Sequence, residues 1–206
     1  MKMFVCGLIV MLCGLPLVAT AEPASVAASA EGTATPFNEV KRVIDEVVRI
    51  ATDLPGEANT PVRREKLRNA INPYFDFNEM AKRSLGIQWK KISAEEQREF
   101  VEVFSDLLAR TYLQRIETVK PGMVRMESEK VELPKAIVRT IVISRGDEFP
   151  IDYKLYRSEA NWKVYDVVIE NIGLVANYRN EFAGIIRRDT FAGLLKKLRE
   201  KNAAAA

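Results

Sequence analysis

The stretch Asn161–Phe182, with the sequence NWKVYDVVIENIGLVANYRNEF, changes from a strand pattern to a helix pattern within a few residues. Its first part is a nearly continuous run of β-branched and aromatic residues, which is typical of a strand buried on both faces. Apolar residues then recur at helical spacing from Leu174 onward, and Gly173 separates the two patterns. A strand that leads directly into a helix fixes that helix against the sheet. The apolar side chains between them predict either an ordinary core or a cleft that holds an apolar ligand.

Four helices are predicted before the first strand, and a capping signal precedes each of them. Two follow Thr-Pro pairs, in which a capping hydroxyl stands before a proline suited to the first helical position. The other two follow Asp76 and Ser93, each with a glutamate three residues later, which is the spacing of a capping box. The predicted helices cover about 36–51, 61–71, 77–85 and 94–118.

The period of the sequence changes to two after Pro121-Gly122, which predicts strands from that point. Short connections between consecutive strands favour an antiparallel meander. The predicted strands cover 123–133, 136–144, 149–157 and 161–169, and two helices follow over about 174–188 and 190–201, with Asp189 as the cap of the second. We therefore predict an α+β fold, with N-terminal helices before a four-stranded antiparallel meander sheet. The C-terminal helices pack back on the sheet and leave an apolar cleft between helices and sheet.

The N-terminus has the pattern of a secretory signal peptide. Lys2 supplies the positive charge, an apolar stretch too short to span a bilayer well follows over 4–18, and a small-x-small cleavage site ends at Ala21. We therefore expect an exported protein that is cleaved after Ala21. The expected segments are a signal peptide over 1–21, a flexible leader over 22–35, a single domain over 36–201 and a disordered tail over 202–206.

The composition argues against most catalytic and metal-binding chemistry. The sequence has no histidine, and both cysteines, Cys6 and Cys13, lie in the predicted signal peptide. Nucleophile–base pairs and zinc or iron sites therefore lack their usual residues. The 31 basic and 28 acidic residues give a net charge of +3, which is too balanced to indicate nucleic acid binding. We expect no enzymatic activity, no metal and no cofactor.

Asp166 stands in the middle of the most apolar predicted strand. A buried carboxylate requires a partner, and Arg179 on the following helix is a candidate. The alternative is that Asp166 points into water beside Tyr165. The sequence leaves both interpretations open.

Several segments of the chain resemble the MlaC, or toluene-tolerance, family. They are SAEEQR from Ser93, WKVYDV from Trp162, ENIGLV from Glu170, NYR from Asn177 and FAGLL from Phe191. The resemblance extends from about residue 36 to residue 201, with the segments in the same order. It implies a periplasmic protein that binds phospholipid as cargo, with the acyl chains held between helices and sheet.

The resemblance also implies a route and partners for this cargo. Members of the family carry lipid between an outer-membrane lipoprotein–porin complex and an inner-membrane ABC transporter complex with an MCE-domain subunit, and so maintain outer-membrane lipid asymmetry. Contact with membranes would be transient and made through these partners. A hopanoid-associated branch looks similar, which leaves open a hopanoid-type cargo. A periplasmic protein-interaction module with a filled core is a further, non-catalytic alternative.

The predicted lipid site lies where the last strand turns into its helix. Its wall combines one face of that helix with the long helix, the short helix before it and the sheet. The predicted lining residues are Met80, Leu85, Phe104, Leu108, Tyr112, Ile141, Ile143, Tyr153, Leu155, Ile172, Val175, Tyr178 and Phe182.

Two basic clusters are predicted to dock the partner proteins through the outer faces of helices. The alternative is a solvated face that only keeps the protein soluble. The clusters are Arg63, Arg64, Lys66 and Arg68 on the second helix, and Lys196, Lys197, Arg199 and Lys201 on the last.

Overall fold

The structure is a computed structural model that describes residues 35–159 and 161–204. The predicted signal peptide, its cleavage site and nearly all of the leader therefore lie outside the described residues. The helices are α1 (Pro36–Asp53), α2 (Thr60–Ile71), α3 (Phe77–Leu85), α4 (Ala94–Ile116) and α5 (Leu174–Ala204). Short 3-10 segments at Glu57–Asn59, Asn72–Tyr74 and Gly86–Lys91 connect the first four. None of the described helices is long and apolar enough to cross a membrane.

The strands form one antiparallel sheet in the order β1-β2-β3-β4-β5. Their bounds are β1 (Val124–Glu132), β2 (Lys135–Ser144), β3 (Asp147–Ser158), β4 (Asn161–Ile169) and β5 (Ile172–Gly173). The predicted α+β fold and meander are confirmed, but the sheet has five strands and not four. The additional strand, β5, is two residues long, which is too short to show any alternation in the sequence.

Most helix starts follow the predicted caps. Ser93 and Glu96 form a complete capping box, with hydrogen bonds of 2.8 and 3.2 Å. Asp76 makes half of one, because its carboxylate accepts from the Glu79 N–H at 2.8 Å while the Glu79 carboxylate pairs with an arginine. Thr60 does not cap α2: it is the first residue of that helix, and its hydroxyl accepts from a guanidinium instead.

The last two predicted helices form one element, α5, with a break at Thr190, where φ is +68°. The Gly193 N–H donates to the Thr190 hydroxyl at 3.4 Å, so Thr190 and not Asp189 caps the second half. Asp189 pairs with Lys197 instead. The break brings the backbone so close that a Cβ on Gly193 would lie 2.8 Å from the Asp189 Cβ. Glycine at this position is therefore a packing requirement.

Three apolar clusters hold the described residues together. The largest joins α3, α4 and α5 around the fully buried rings of Phe100, Phe104 and Phe182. A second joins α1 to the sheet, and a third joins α1, α2 and α4 around Leu67. The helices α4 and α5 therefore pack as a filled core, whereas α1 and α4 face the sheet across a less filled space.

Candidate functional site

A cavity of about 590 Å³ lies between the sheet and the helices α1 and α4. Its volume falls within the ~300–1,000 Å³ that is usual for small-molecule sites. The lining is mostly apolar. The sheet contributes Val124, Val142, Phe149, Ile151, Tyr153, Leu155, Trp162, Val164, Val167 and Ile169. The helices contribute Val40, Val43, Ile44 and Val47 from α1, Met80 from α3, and Leu108, Ala109, Tyr112, Leu113 and Ile116 from α4.

Strand register explains which side chains face the cavity. Val142 pairs with Val124 on one side and with Phe149 on the other, so the three side chains share one face of the sheet. In β4 the register shifts where Leu155 pairs with Val164, which leaves Tyr165 as an extra residue. Because of this bulge, Trp162 and Val164 before it and Val167 and Ile169 after it all face the cavity.

The bulge also settles which aromatic residue of β4 faces the cavity. Trp162 lines it and is buried. Tyr165 lies on the opposite face, where the Arg83 guanidinium sits 4.4 Å from the centre of its ring. The sequence alone does not settle which of the two faces the cavity, because the bulge breaks the strict alternation of the strand.

The connection between α2 and α3 covers part of the cavity, with lining side chains that include Asn72, Tyr74 and Phe75. It is fastened to the sheet at Asp76, whose N–H donates to the Val164 carbonyl at 2.9 Å and whose carboxylate also accepts from the Tyr156 hydroxyl. This segment was not among the predicted lining residues, because it is irregular and shows no period.

The predicted lining residues divide between four places. Met80, Leu108, Tyr112, Tyr153 and Leu155 line the cavity. Leu85, Phe104, Val175, Tyr178 and Phe182 lie instead in the filled helical core. Ile141 and Ile143 lie on the other face of the sheet from Val142, and Ile172 is 62 % exposed at β5.

The difference arises because the apolar face of α5 packs on α4 and not across the sheet. The rings of Phe104 and Tyr178 lie 5.2 Å apart, and those of Phe104 and Phe182 lie 5.6 Å apart. Helix α1 takes the place that the prediction gave to α5. The apolar stripe of α1 was visible in the sequence and could have identified these residues, but periodicity does not reveal which element a stripe contacts.

Asp166 is buried and has a cationic partner, as one of the two interpretations required, but the partner is Lys154 and not Arg179. One carboxylate oxygen accepts from the Val175 N–H at 3.0 Å, and the other pairs with Lys154 at 3.2 Å. Arg179 donates instead to the Arg83 carbonyl at 2.7 Å. The carboxylate therefore fastens the start of α5 to the sheet and complements the positive end of the helix dipole.

The tyrosine side chains at the cavity remain neutral near pH 7. Burial raises the pKa of Tyr112 and of Tyr153. Burial also raises the pKa of Tyr178, behind the wall, to about 12. The Tyr112 and Tyr153 side chains therefore add no charge to the apolar wall.

The basic cluster on α2 is largely engaged inside the fold. Arg63 is only 8 % exposed and donates to the carbonyls of Leu54 and Gly56 and to the Glu117 carboxylate. Arg64 pairs with the same carboxylate at 2.8 Å. The prediction of a free basic face is therefore wrong at Arg63, which stabilises the packing of α2 on α4.

The basic residues near the end of α5 are also partly paired. Lys197 pairs with Asp189, and Arg199 pairs with Glu99 of α4. Lys201 and Lys66 are exposed. The two clusters are thus smaller as docking surfaces than the sequence suggests.

These features define an α+β protein that encloses a ligand-sized apolar cavity between its helices and its sheet. The model of the family described as MlaC protein matches residues 41–200, and the chain belongs to this family. The predicted resemblance is thereby confirmed over nearly the whole of the described domain.

Individual relatives are similar at low identity over most of their length. The chain is 25 % identical over 144 residues to the intermembrane phospholipid transport system binding protein MlaC of Haemophilus influenzae, covering 66 % of this chain and 67 % of the relative. It is 22 % identical over 188 residues to toluene tolerance protein ttg2D of Pseudomonas putida, covering 89 % of this chain and 82 % of the relative.

A solved structure is similar in fold and sequence. It is that of a phospholipid-binding protein from Ralstonia solanacearum in complex with a phospholipid, with a TM-score of 0.74 and 28 % identity. The match covers 84 % of this chain and 99 % of the other.

Proposed function

We propose that this protein is a periplasmic phospholipid carrier. The observation that supports the proposal most is the apolar cavity of about 590 Å³ between sheet and helices, in a chain of the MlaC family. A similar solved structure holds a phospholipid. A cavity of this size also favours a carrier over an interaction module with a filled core.

The energetics of acyl chains suit a carrier that performs no chemistry. Keeping roughly 30 methylenes out of water, at about 0.8 kcal/mol each, is worth about 24 kcal/mol. A bilayer supplies most of the same gain, so the cavity needs only to match it. Transfer then depends on passing the chains from membrane complex to cavity without exposing them to water.

The proposed route follows from the family and from the predicted export signal. The signal peptide delivers the protein to the periplasm, where it exchanges lipid with an outer-membrane lipoprotein–porin complex and an inner-membrane ABC transporter with an MCE-domain subunit. Exchange at both ends maintains the lipid asymmetry of the outer membrane. No catalytic residue and no cofactor takes part in this role.

Mass spectrometry of an organic extract of the purified mature protein tests the proposal. We expect at least one phospholipid per protein, and protein stripped of lipid should take up phospholipid again from vesicles. A hopanoid in the extract would change the cargo but not the carrier role. Protein that carries no lipid and takes up none from vesicles would refute the proposal and favour an interaction module.

A further inference from the structure

The lining of the cavity is buried at one end of the sheet and partly exposed at the other. Leu155, which pairs with Val164, is buried, as are Val164 itself and Trp162. At the other end of the strands, Val142 pairs with Phe149, and both side chains are only half-buried. The cavity is therefore closed near Trp162 and opens toward Phe149.

Three exposed lining residues form the mouth of the cavity at this open end. They are Arg115 in the last turn of α4, Thr118 after that helix and Glu170 after β4. The Glu170 N–H donates to the Pro150 carbonyl at 3.0 Å, next to Phe149. The chain that leaves α4 enters β1 at Val124, which pairs with Val142. Both sides of the mouth thus lie at the same end of the sheet.

The two arginines that line the cavity differ in their partners. Arg68 pairs with Asp106 at 3.1 Å, so its charge is compensated within the fold. Arg115 takes part in none of the ion pairs formed among residues 35–159 and 161–204, and the neighbouring carboxylate of Glu117 is held by the arginines of α2. The guanidinium of Arg115 is therefore available to a ligand at the mouth.

The charge of Arg115 acts on the cavity as well as on the surrounding water. Burial raises the pKa of the Tyr112 hydroxyl, while a hydrogen bond with Tyr178 and the positive charge of Arg115 act in the opposite direction. Tyr112 lines the cavity about one turn earlier on α4. A guanidinium in such a place is suited to a phosphate, which it binds through two parallel hydrogen bonds.

The other charges of the lining disfavour a phosphate elsewhere. Glu39 is buried and carries a negative charge, and Glu170 carries another on the opposite side of the mouth from α4. Both carboxylates repel an anion. Asn72, which is exposed on the connection between α2 and α3, has no charge. The acyl chains gain most at the closed, apolar end, where they are removed from water.

We propose that the phospholipid lies with its acyl chains toward Trp162 and its headgroup at the mouth, where the Arg115 guanidinium binds its phosphate. This inference rests on the proposed function as a phospholipid carrier. It gives the cargo one orientation in the cavity. It also gives the protein a means of preferring phospholipids over lipids that have the same chains but no phosphate.

Competition between lipids with and without a phosphate tests the contact. Mature protein, stripped of lipid, is incubated with phosphatidylcholine vesicles that contain equal small amounts of phosphatidylglycerol and diacylglycerol. These two lipids have identical acyl chains, which differ in mass from those of the phosphatidylcholine. Mass spectrometry then gives the ratio of bound phosphatidylglycerol to bound diacylglycerol. We expect Arg115→Gln to lower this ratio about tenfold relative to the wild type, which corresponds to about 1.4 kcal/mol.

Three further variants serve as controls. Lys120→Gln removes a positive charge from the same connection but outside the lining, and it should keep the wild-type ratio. Glu170→Gln removes a repulsive charge from the mouth and should keep or raise the ratio. Arg115→Lys should keep part of the preference, because lysine retains the charge but not the paired hydrogen bonds. Thermal unfolding of each variant checks that the fold is intact.

Photoreactive phospholipids test the orientation. A photoreactive group in the headgroup should cross-link to the segment 112–123, which contains Arg115 and Thr118. The same group at the end of an acyl chain should cross-link to β4 near Trp162. The cross-linked segments are identified by mass spectrometry after proteolysis.

An unchanged ratio in Arg115→Gln would overturn the inference, as would an equal drop in Lys120→Gln. Headgroup cross-links at Asn72 in place of the mouth would overturn the orientation. In all these cases the protein still binds lipid, and the proposed function stands. Protein that takes up none of the lipids in the vesicles would refute the proposed function, and the inference would fail with it.

Discussion

Val142→Glu places a carboxylate on the floor of the cavity and should prevent lipid binding while preserving the fold. Val142 is flanked across the sheet by Val124 and Phe149, and all three line the cavity. A carboxylate there would lie among acyl chains without a cationic partner from these strand neighbours. The cost of at least about 3 kcal/mol for such a group corresponds to a loss of more than about 100-fold in lipid affinity.

The assay measures bound phospholipid per protein after incubation with vesicles, together with thermal unfolding. Ile141→Glu is the matched control, since Ile141 is the adjacent residue and faces the other side of the sheet, where it pairs with Arg125. It should bind lipid as the wild type does. Water can enter an empty cavity and hydrate the new carboxylate, so we expect Val142→Glu to unfold within a few degrees of the wild type.

Equal lipid content in the two variants would show that the cavity floor does not contact the cargo. If Val142→Glu unfolds while Ile141→Glu stays folded, the cavity is closed to water and behaves as a core. Either result would contradict the assignment of this cavity as the lipid site.

Three further predictions concern contacts that hold the elements of the fold together. Asp166→Asn weakens the bonds that fasten α5 to the sheet and should lower the free energy of unfolding by roughly 1–3 kcal/mol in urea titrations. An unchanged free energy of unfolding would mean that these bonds do not stabilise the fold. Gly193→Ala should destabilise by roughly 1–3 kcal/mol because its Cβ would lie 2.8 Å from the Asp189 Cβ. Gly184→Ala should stabilise slightly, because its Cβ would make only an ordinary contact of 3.9 Å with the Arg188 guanidinium; equal effects of the two substitutions would contradict the packing requirement at Gly193. The arginines of α2 hold the pKa of Glu117 below its ordinary value of 4.5, chiefly through the hydrogen bond from Arg64. This carboxylate therefore stabilises the fold above pH 4.5, and the contribution is lost as the pH falls through the lowered pKa. In urea titrations, the free energy of unfolding should fall less between pH 6 and pH 3 for Glu117→Gln than for the wild type. An identical pH dependence of the free energy of unfolding in the two proteins would contradict the role of this ion pair.

Local signals in the sequence predicted the elements of this fold well. Capping residues such as Ser93 set helix starts through hydrogen bonds to neighbouring backbone, and these bonds depend on nearby residues alone. The strands of the meander were likewise visible from their period. The two-residue strand β5 was not, because its pairing with β4 depends on the turn that brings Ile172 back beside Ile169.

The site was harder to predict because its wall depends on contacts between distant elements. The apolar stripes of α1 and α5 look alike in the sequence, and only packing shows that α1 faces the cavity while Tyr178 and Phe182 enter the core. The bulge at Tyr165 reverses the alternation that would otherwise separate the two faces of β4.

The separation of the filled core from the cavity has a consequence for local opening of the backbone, as measured by amide hydrogen exchange. Backbone amides of α4 and α5 beside Phe100 and Phe182 are held by the packing of rings that do not line the cavity. These amides should exchange slowly with deuterated water, and their exchange rates should be the same with and without cargo. Amides of α1, which covers the cavity, should become protected when cargo enters. Cargo would thus change the exchange of α1 and of the part of α4 that lines the cavity, and selection can alter the cargo through α1 without disturbing the rings that hold the fold.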